Sequence, residues 1–148
     1  MKHITFTIQG EPKGKGRPRF TTRGKFPSAY TPQDTADYET RVRNEYLMAA
    51  RGTFLGETVK MNINCWFGMP KSASKKKRSL MLSGEIRPTK KPDADNIAKI
   101  IADALNGVAY RDDAQIVELT VKKYFSEDPR VEVSIWRFEQ DGGDPHEP

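Results

Sequence analysis

The chain has 148 residues, of which 36% are hydrophobic and 30% charged, and it carries a formal net charge of +5. A chain of this size fits one domain that buries a core without structural staples, and its single cysteine, Cys65, excludes an internal disulfide and any Cys-rich zinc site. No apolar run approaches the roughly 20 residues of a membrane-spanning helix, and the first residues lack the charged, apolar, small-residue order of an export signal, so a cytoplasmic protein without membrane contact is expected.

Ile4, Phe6 and Ile8 alternate with polar residues and predict a half-buried strand that ends at Gly10. Glycine and proline then interrupt Pro12-Lys13-Gly14-Lys15-Gly16-Arg17-Pro18-Arg19 too often for a regular element, and the spacing is not that of a Walker loop. A flexible basic arm is expected over residues 10–30. Thr31, Pro32 and Asp34 supply an N-cap, a proline at the first helical position and an acid at the third. Tyr38, Val42, Tyr46 and Ala49 recur at helical spacing beyond them, with Gly52 as the stop.

Val59, Met61, Ile63, Cys65 and Phe67 alternate along a second strand, 58–68, which makes Cys65 a core thiol and not a nucleophile. Residues 70–92 are too many for an ordinary connection and read as a functional basic loop, with 74–82 as its one helical possibility. An amphipathic helix opens after Pro92. Two stretches rich in β-branched and aromatic residues, 116–125 and 131–138, flank a turn at 126–129 and predict a hairpin. The last ten residues, 139–148, hold four acids and no Lys or Arg, the composition of a disordered tail. The fold class is α+β: a two-layer α/β arrangement with a mixed sheet of about four strands and two main helices on one face, in a single domain spanning 1–138.

The positive charge is concentrated. Residues 10–30 hold six basic side chains against Glu11, and residues 70–92 hold eight against Glu85, so the remainder is acidic. Two basic segments on a mildly acidic body suit a polyanion, because each Lys or Arg that neutralises a phosphate releases condensed counterions. Lys13, Lys15, Arg17, Arg19, Lys75, Lys76, Lys77, Arg78, Lys90 and Lys91 are the expected DNA contacts. Phe20, Phe26 and Tyr30 either stack on bases or pack against the body.

Asp93-Ala94-Asp95-Asn96-Ile97-Ala98-Lys99 opens the amphipathic helix, and Asp112-Asp113 follows its end. On a helical wheel Asp95, Asn96, Lys99 and Asp103 share one arc, opposite Ile97, Ile100, Ile101, Ala104 and Leu105. Capping and i,i+4 pairing explain the helix start when it is taken alone, and a turn explains Asp112-Asp113. Carboxylates clustered in a basic chain have a more economical explanation in a divalent cation, which would otherwise be replaced by repulsion or protonation. The residues therefore read as a metal-dependent nuclease. An EF-hand is excluded, since Ala98 and Ala104 stand where its glycine and final glutamate belong.

The run Asp-x-Asp-Asn-hydrophobic-x-Lys, followed fourteen residues after the Lys by the second residue of Asp-Asp-Ala-Gln and then an apolar strand, resembles the RusA family of Holliday junction resolvases. The resemblance implies a small homodimeric endonuclease that cuts four-way DNA junctions symmetrically with Mg²⁺, for which Mn²⁺ substitutes. It makes Asp93, Asp95 and Asp113 metal-binding acids, Lys99 an essential lysine and Asp112 a less critical neighbour. Two opposed nicks in a near-symmetric substrate also call for two sites related by a two-fold axis. The rival expectations are a non-catalytic module that binds branched DNA and a general metal-dependent nuclease.

Overall fold

A computed structural model describes residues 3–22, 24 and 26–138. The expected acidic tail and the arm residues Arg23 and Lys25 lie outside the described residues. The elements in chain order are β1 (Ile4–Gln9), β2 (Arg19–Thr21), β3 (Ser28–Tyr30), α1 (Gln33–Ala50), β4 (Val59–Gly68), α2 (Lys75–Ser83), α3 (Ala94–Ala104), a 3-10 turn (Asp113–Gln115), β5 (Ile116–Ser126) and β6 (Arg130–Arg137). The mixed four-stranded sheet expected from the sequence is present, in the order β1-β6-β4-β5.

Period-two alternation drives β1, β4 and β6 together. Ile4, Phe6 and Ile8, then Val59 to Phe67 at every second position, then Val131, Val133 and Ile135 all point into one core. The helices close it: α1 contributes Tyr38, Val42 and Tyr46, and α3 contributes Ile97, Ile100 and Ile101. Cys65 is buried there as expected, and burial pushes its thiol up to about 12. β4 and β5 run parallel, as a crossover through the intervening helices requires.

The expected terminal hairpin does not form. β6 pairs antiparallel with both β1 and β4, and β5 pairs only with the far side of β4. The reason lies in the strength of the apolar faces. β4 and β6 alternate buried residues without a break and take inner positions, whereas Val117 and Leu119 of β5 are about half exposed (49% and 46%) and suit an edge. The short link after Ser126 passes over the end of β4 at Gly68, where a Cβ would lie 3.4 Å from Pro129 Cγ and 3.1 Å from Glu11 Oε1.

Helix α1 starts one residue later than its sequence signals suggest. Pro32 occupies the N-cap position, so Thr31 does not cap, and Ala50 instead of Ala49 is the buried residue of the last turn. Within the long basic segment the helical possibility is realised as α2. The Ser74 side chain accepts a hydrogen bond from Lys77 N, and Gly84 ends the helix in the left-handed region at φ 87°.

Residues 12–18 of the basic arm lie as a strap docked on the body, and they lead into a small hairpin, β2 paired with β3. Lys15 N donates to Asn96 O (3.3 Å), and Gly16 N donates to Thr35 Oγ1 (3.2 Å). Its glycines serve close approach: a Cβ on Gly14 would overlap Asn96 Nδ2 and lie 2.9 Å from Pro92 Cβ, and one on Gly16 would overlap Thr35 Oγ1. Residues 12–18 are irregular, as the Gly/Pro pattern demands, yet irregular backbone is held in place by specific partners.

Candidate active site

The start of α3 sets two carboxylates beside the strap. Asp93 holds the N-cap position with extended backbone, but its side chain makes no capping hydrogen bond. Ordinary capping therefore does not account for this acid. Among the described residues neither Asp93 nor Asp95 has an ion-pair partner. Lys123 of β5 fixes the approach to the helix by donating to Lys90 O (2.8 Å) and Pro92 O (3.0 Å). Lys13, Lys15, Arg17 and Lys91 surround Asp93 and Asp95 in a cleft of about 590 Å³.

A second opening, about 330 Å³, lies on the other side of Asp95. Asp95, Lys99 and Asp113 rim it, over a floor of Ala98, Ala102, Ile116 and Leu119. Asp113 arrives there because its neighbours satisfy the turn without it. The Asp112 carboxylate accepts from Ala114 N (2.9 Å), and Gln115 accepts from Arg111 N while donating to Leu55 O and Glu57 O. Buried Tyr110 anchors the preceding loop through its hydroxyl, which donates to Ala102 O (2.7 Å). The turn explanation thus holds for Asp112 and leaves Asp113 to the groove.

Burial raises the proton affinity of Asp113 above the ordinary carboxylate range, and a hydrogen bond to Asp103 and the charges of Asp112 and Asp103 add to it; Lys99 works against them. Such crowding of like charge is what a bound cation relieves. Among the described residues, however, no three His, Cys, Asp or Glu side chains gather closely enough to hold a metal ion. The three expected acids are shared between adjoining openings, with Asp95 common to both.

Asp103, which the helical wheel sets on the same arc as Lys99 without giving it a role, ties the site together. One carboxylate oxygen lies 3.3 Å from Lys15 Nζ and the other 3.2 Å from Lys99 Nζ, while Lys15 also meets Glu39 at 2.6 Å. Burial acts to lower the Lys15 pKa, but hydrogen bonds and charges from Glu39 and Asp103 outweigh it and hold the ammonium above its ordinary value. The i,i+4 spacing of Lys99 and Asp103 signals one half of this network; nothing local signals Lys15, Glu39 or Lys123.

The expected DNA contacts divide by position. Lys13, Lys15, Arg17 and Lys91 line the cleft, although Lys13 is paired with Asp34 at 2.7 Å and Lys15 is tied down as described. The Lys13 ammonium hydrogen-bonds Asp34 and holds that carboxyl below its usual range. Lys75, Lys76 and Lys77 stand exposed on the first turn of α2, against the helix dipole and away from the cleft lining. Arg78 closes its own turn by donating to Ala73 O and Pro70 O. Lys90 is exposed beside the cleft, and Arg19 belongs to β2.

The α+β scaffold thus sets two acids at a helix start opposite a basic strap. The match to known families is specific. The model of the endodeoxyribonuclease RusA family covers residues 9–136, and the chain belongs to that family. It is also 40% identical over 137 residues to the uncharacterized protein YqaN of Bacillus subtilis (strain 168), an overlap of 91% of this chain and 96% of the relative. Nucleases of this family generally depend on a divalent metal. No helix among the described residues is long and apolar enough to cross a membrane.

Proposed function

We propose that the protein resolves four-way DNA junctions by paired, symmetric, cation-dependent cuts, with Asp93, Asp95, Asp113 and Lys99 as its active residues. The observation that carries this reading is the shared groove of Asp95, Lys99 and Asp113, which opens beside the basic cleft through Asp95 itself. Magnesium is usually held by one or two carboxylates together with substrate phosphate, so two acids converging on one groove suit it better than a closed protein cage would. Mn²⁺, another hard cation, can take its place. The bound cation would polarise the scissile phosphate and lower the pKa of the attacking water.

The chain's own residues do the rest. Lys13, Arg17 and Lys91 neutralise backbone phosphates along the cleft and bring the strand to Asp93 and Asp95. Lys99, held at the groove rim by Asp103, balances charge growing on phosphorus or orients the water. Attack in line with the leaving 3′ oxygen breaks the P–O3′ bond and leaves a 3′-hydroxyl and a 5′-phosphate, ends that a ligase reseals. A homodimer provides the second nick. The half-exposed Val117 and Leu119 on edge strand β5, next to the groove's apolar floor, support a second copy at that side.

Incubation with a synthetic four-way junction, a linear duplex and a fork, with and without Mg²⁺, tests the proposal. Paired nicks confined to the junction and abolished by EDTA are expected. The rival reading, a non-catalytic binding module, draws on the lack of a three-acid cluster among the described residues; junction binding with no cuts at any Mg²⁺ or Mn²⁺ concentration would establish it. Equal cutting of the linear duplex would mark a general nuclease.

A further inference from the structure

We infer that the β2–β3 hairpin is a base-stacking wedge that reads the unpaired centre of the branched substrate. The inference rests on the junction reading above and names the structural feature of DNA that the hairpin recognises. Three aromatic rings sit on or beside this hairpin and stay open to solvent, two of them largely and one by half: Phe20 is 76% exposed, Phe26 74% and Tyr30 48%. Removing that much apolar surface from water is favourable, and leaving it out in a folded chain calls for an occupant.

The pairing register separates the rings. Phe20 lies opposite Ala29, and Tyr30 lies opposite Arg19, so Phe20 and Tyr30 belong to opposite faces of the two-stranded ribbon, with Phe26 in the connection between the strands. A flat ribbon with a ring on each side and a small alanine next to Phe20 has the form of an inserting element. The hairpin joins the body at both ends. Gly16 N bonds Thr35 Oγ1 and Lys15 pairs with Glu39 on the incoming side, and α1 begins three residues after Tyr30 on the outgoing side.

Charge selects the occupant. Residues 10–30 hold six basic side chains and one acid, which repels a second copy of the same hairpin and attracts phosphates. The strap that feeds the hairpin lines the cleft in which Asp93 and Asp95 stand. From Arg17 in the cleft lining the chain passes through Pro18 directly into the strand that carries Phe20. In a linear duplex every base is stacked on its neighbours and the rings gain nothing, whereas at a branch point the bases flanking the exchange can unstack and meet an aromatic face. Base–aromatic stacking is tolerant of sequence because every base offers a π-face.

The test compares wild type with F20A/F26A and with F20W/F26W, in EDTA, on a four-way junction and a linear duplex of equal length. The alanine variant is expected to lose roughly 5- to 150-fold in junction affinity for each ring that stacks, while duplex affinity stays level. The tryptophan variant should regain the affinity, with Trp emission quenched on the junction and not on the duplex. Equal junction binding by wild type and alanine variant would overturn the wedge and leave the resolvase reading untouched. A wild type that neither prefers nor cuts junctions would overturn the resolvase reading first. Self-association of wild type that the alanine variant abolishes would assign the rings to a second copy and overturn the wedge as well.

Discussion

Lys15 of the strap and Asp103 of α3 meet at 3.3 Å, and through this contact the segment that faces the cleft is joined to the helix that carries Asp95 and Lys99. Asp103 has only 18% of its side chain exposed and serves Lys99 with its second oxygen. A basic segment and an acidic one are thereby locked into one register.

Removing the Lys15 ammonium should release the strap. Lys15→Met leaves Glu39 and Asp103 facing one another in a half-buried setting, and a loss of about 1–2 kcal/mol in stability is expected, between the values for exposed and fully buried pairs. Urea unfolding measures it. DNA affinity should fall with it, and Glu39→Gln in the same background should recover part of the stability.

The acids should separate by role. Asp95→Asn and Asp113→Asn are expected to reduce cutting by at least about 100-fold with junction binding kept or improved, since a cation-held phosphate contributes several kcal/mol. Asp93→Asn is expected to do the same. Asp112→Ala should instead cost about 1 kcal/mol of stability through its lost cap, with a much smaller effect on cutting. Single-turnover cleavage beside gel-shift binding distinguishes the two patterns.

Asp113 also ties stability to pH. Its folded pKa is raised, so this carboxyl favours the folded state fully below its unfolded value near 3.8 and loses that contribution as pH rises through the folded value. In EDTA, Asp113→Asn should melt higher than wild type by a margin that widens as pH climbs through the carboxylate range. Millimolar Mg²⁺ should narrow the margin by stabilising wild type alone. Melting curves between pH 3 and pH 7 measure both, on the order of a few degrees.

Gly14 should not accept a side chain. Gly14→Ala places a methyl group against Asn96 and Pro92, and overpacking of this kind costs about 1–3 kcal/mol. Loss of cutting and of DNA affinity should accompany it. Gly56→Ala, where a Cβ meets nothing within 4 Å, is the control and should leave both unchanged.

Much of this molecule was legible wherever side-chain periodicity met a single buried face. Ile4 to Ile8, Val59 to Phe67 and Ile97 to Leu105 declare their inward sides in the sequence, and the acids of α3 declare themselves by being too many for a helix start. Pairing between strands was not legible for β5 and β6. The turn at 126–129 is chemically a hairpin turn, and only the competition between Val117 and Leu119 on one side and the fuller faces of β4 and β6 on the other decides that β4 enters between them. Strap docking was hidden for a similar reason. Gly14 and Gly16 look like flexibility until Asn96 and Thr35, distant in sequence, come within contact range. Lys123 gives no local sign that it will grip Lys90 O and Pro92 O.

The order β1-β6-β4-β5 also governs how the chain is made. Until residues 130–137 have left the ribosome, β1 and β4 each lack the neighbour they finally share, and two apolar ribbons stay open to mispairing. Pairing of Ile4 with Ile135 spans nearly the whole described chain, a long loop to close. Synthesis in cells should therefore be sensitive to chaperone supply, and a stop codon that removes β6 would split the sheet through its middle instead of trimming an edge.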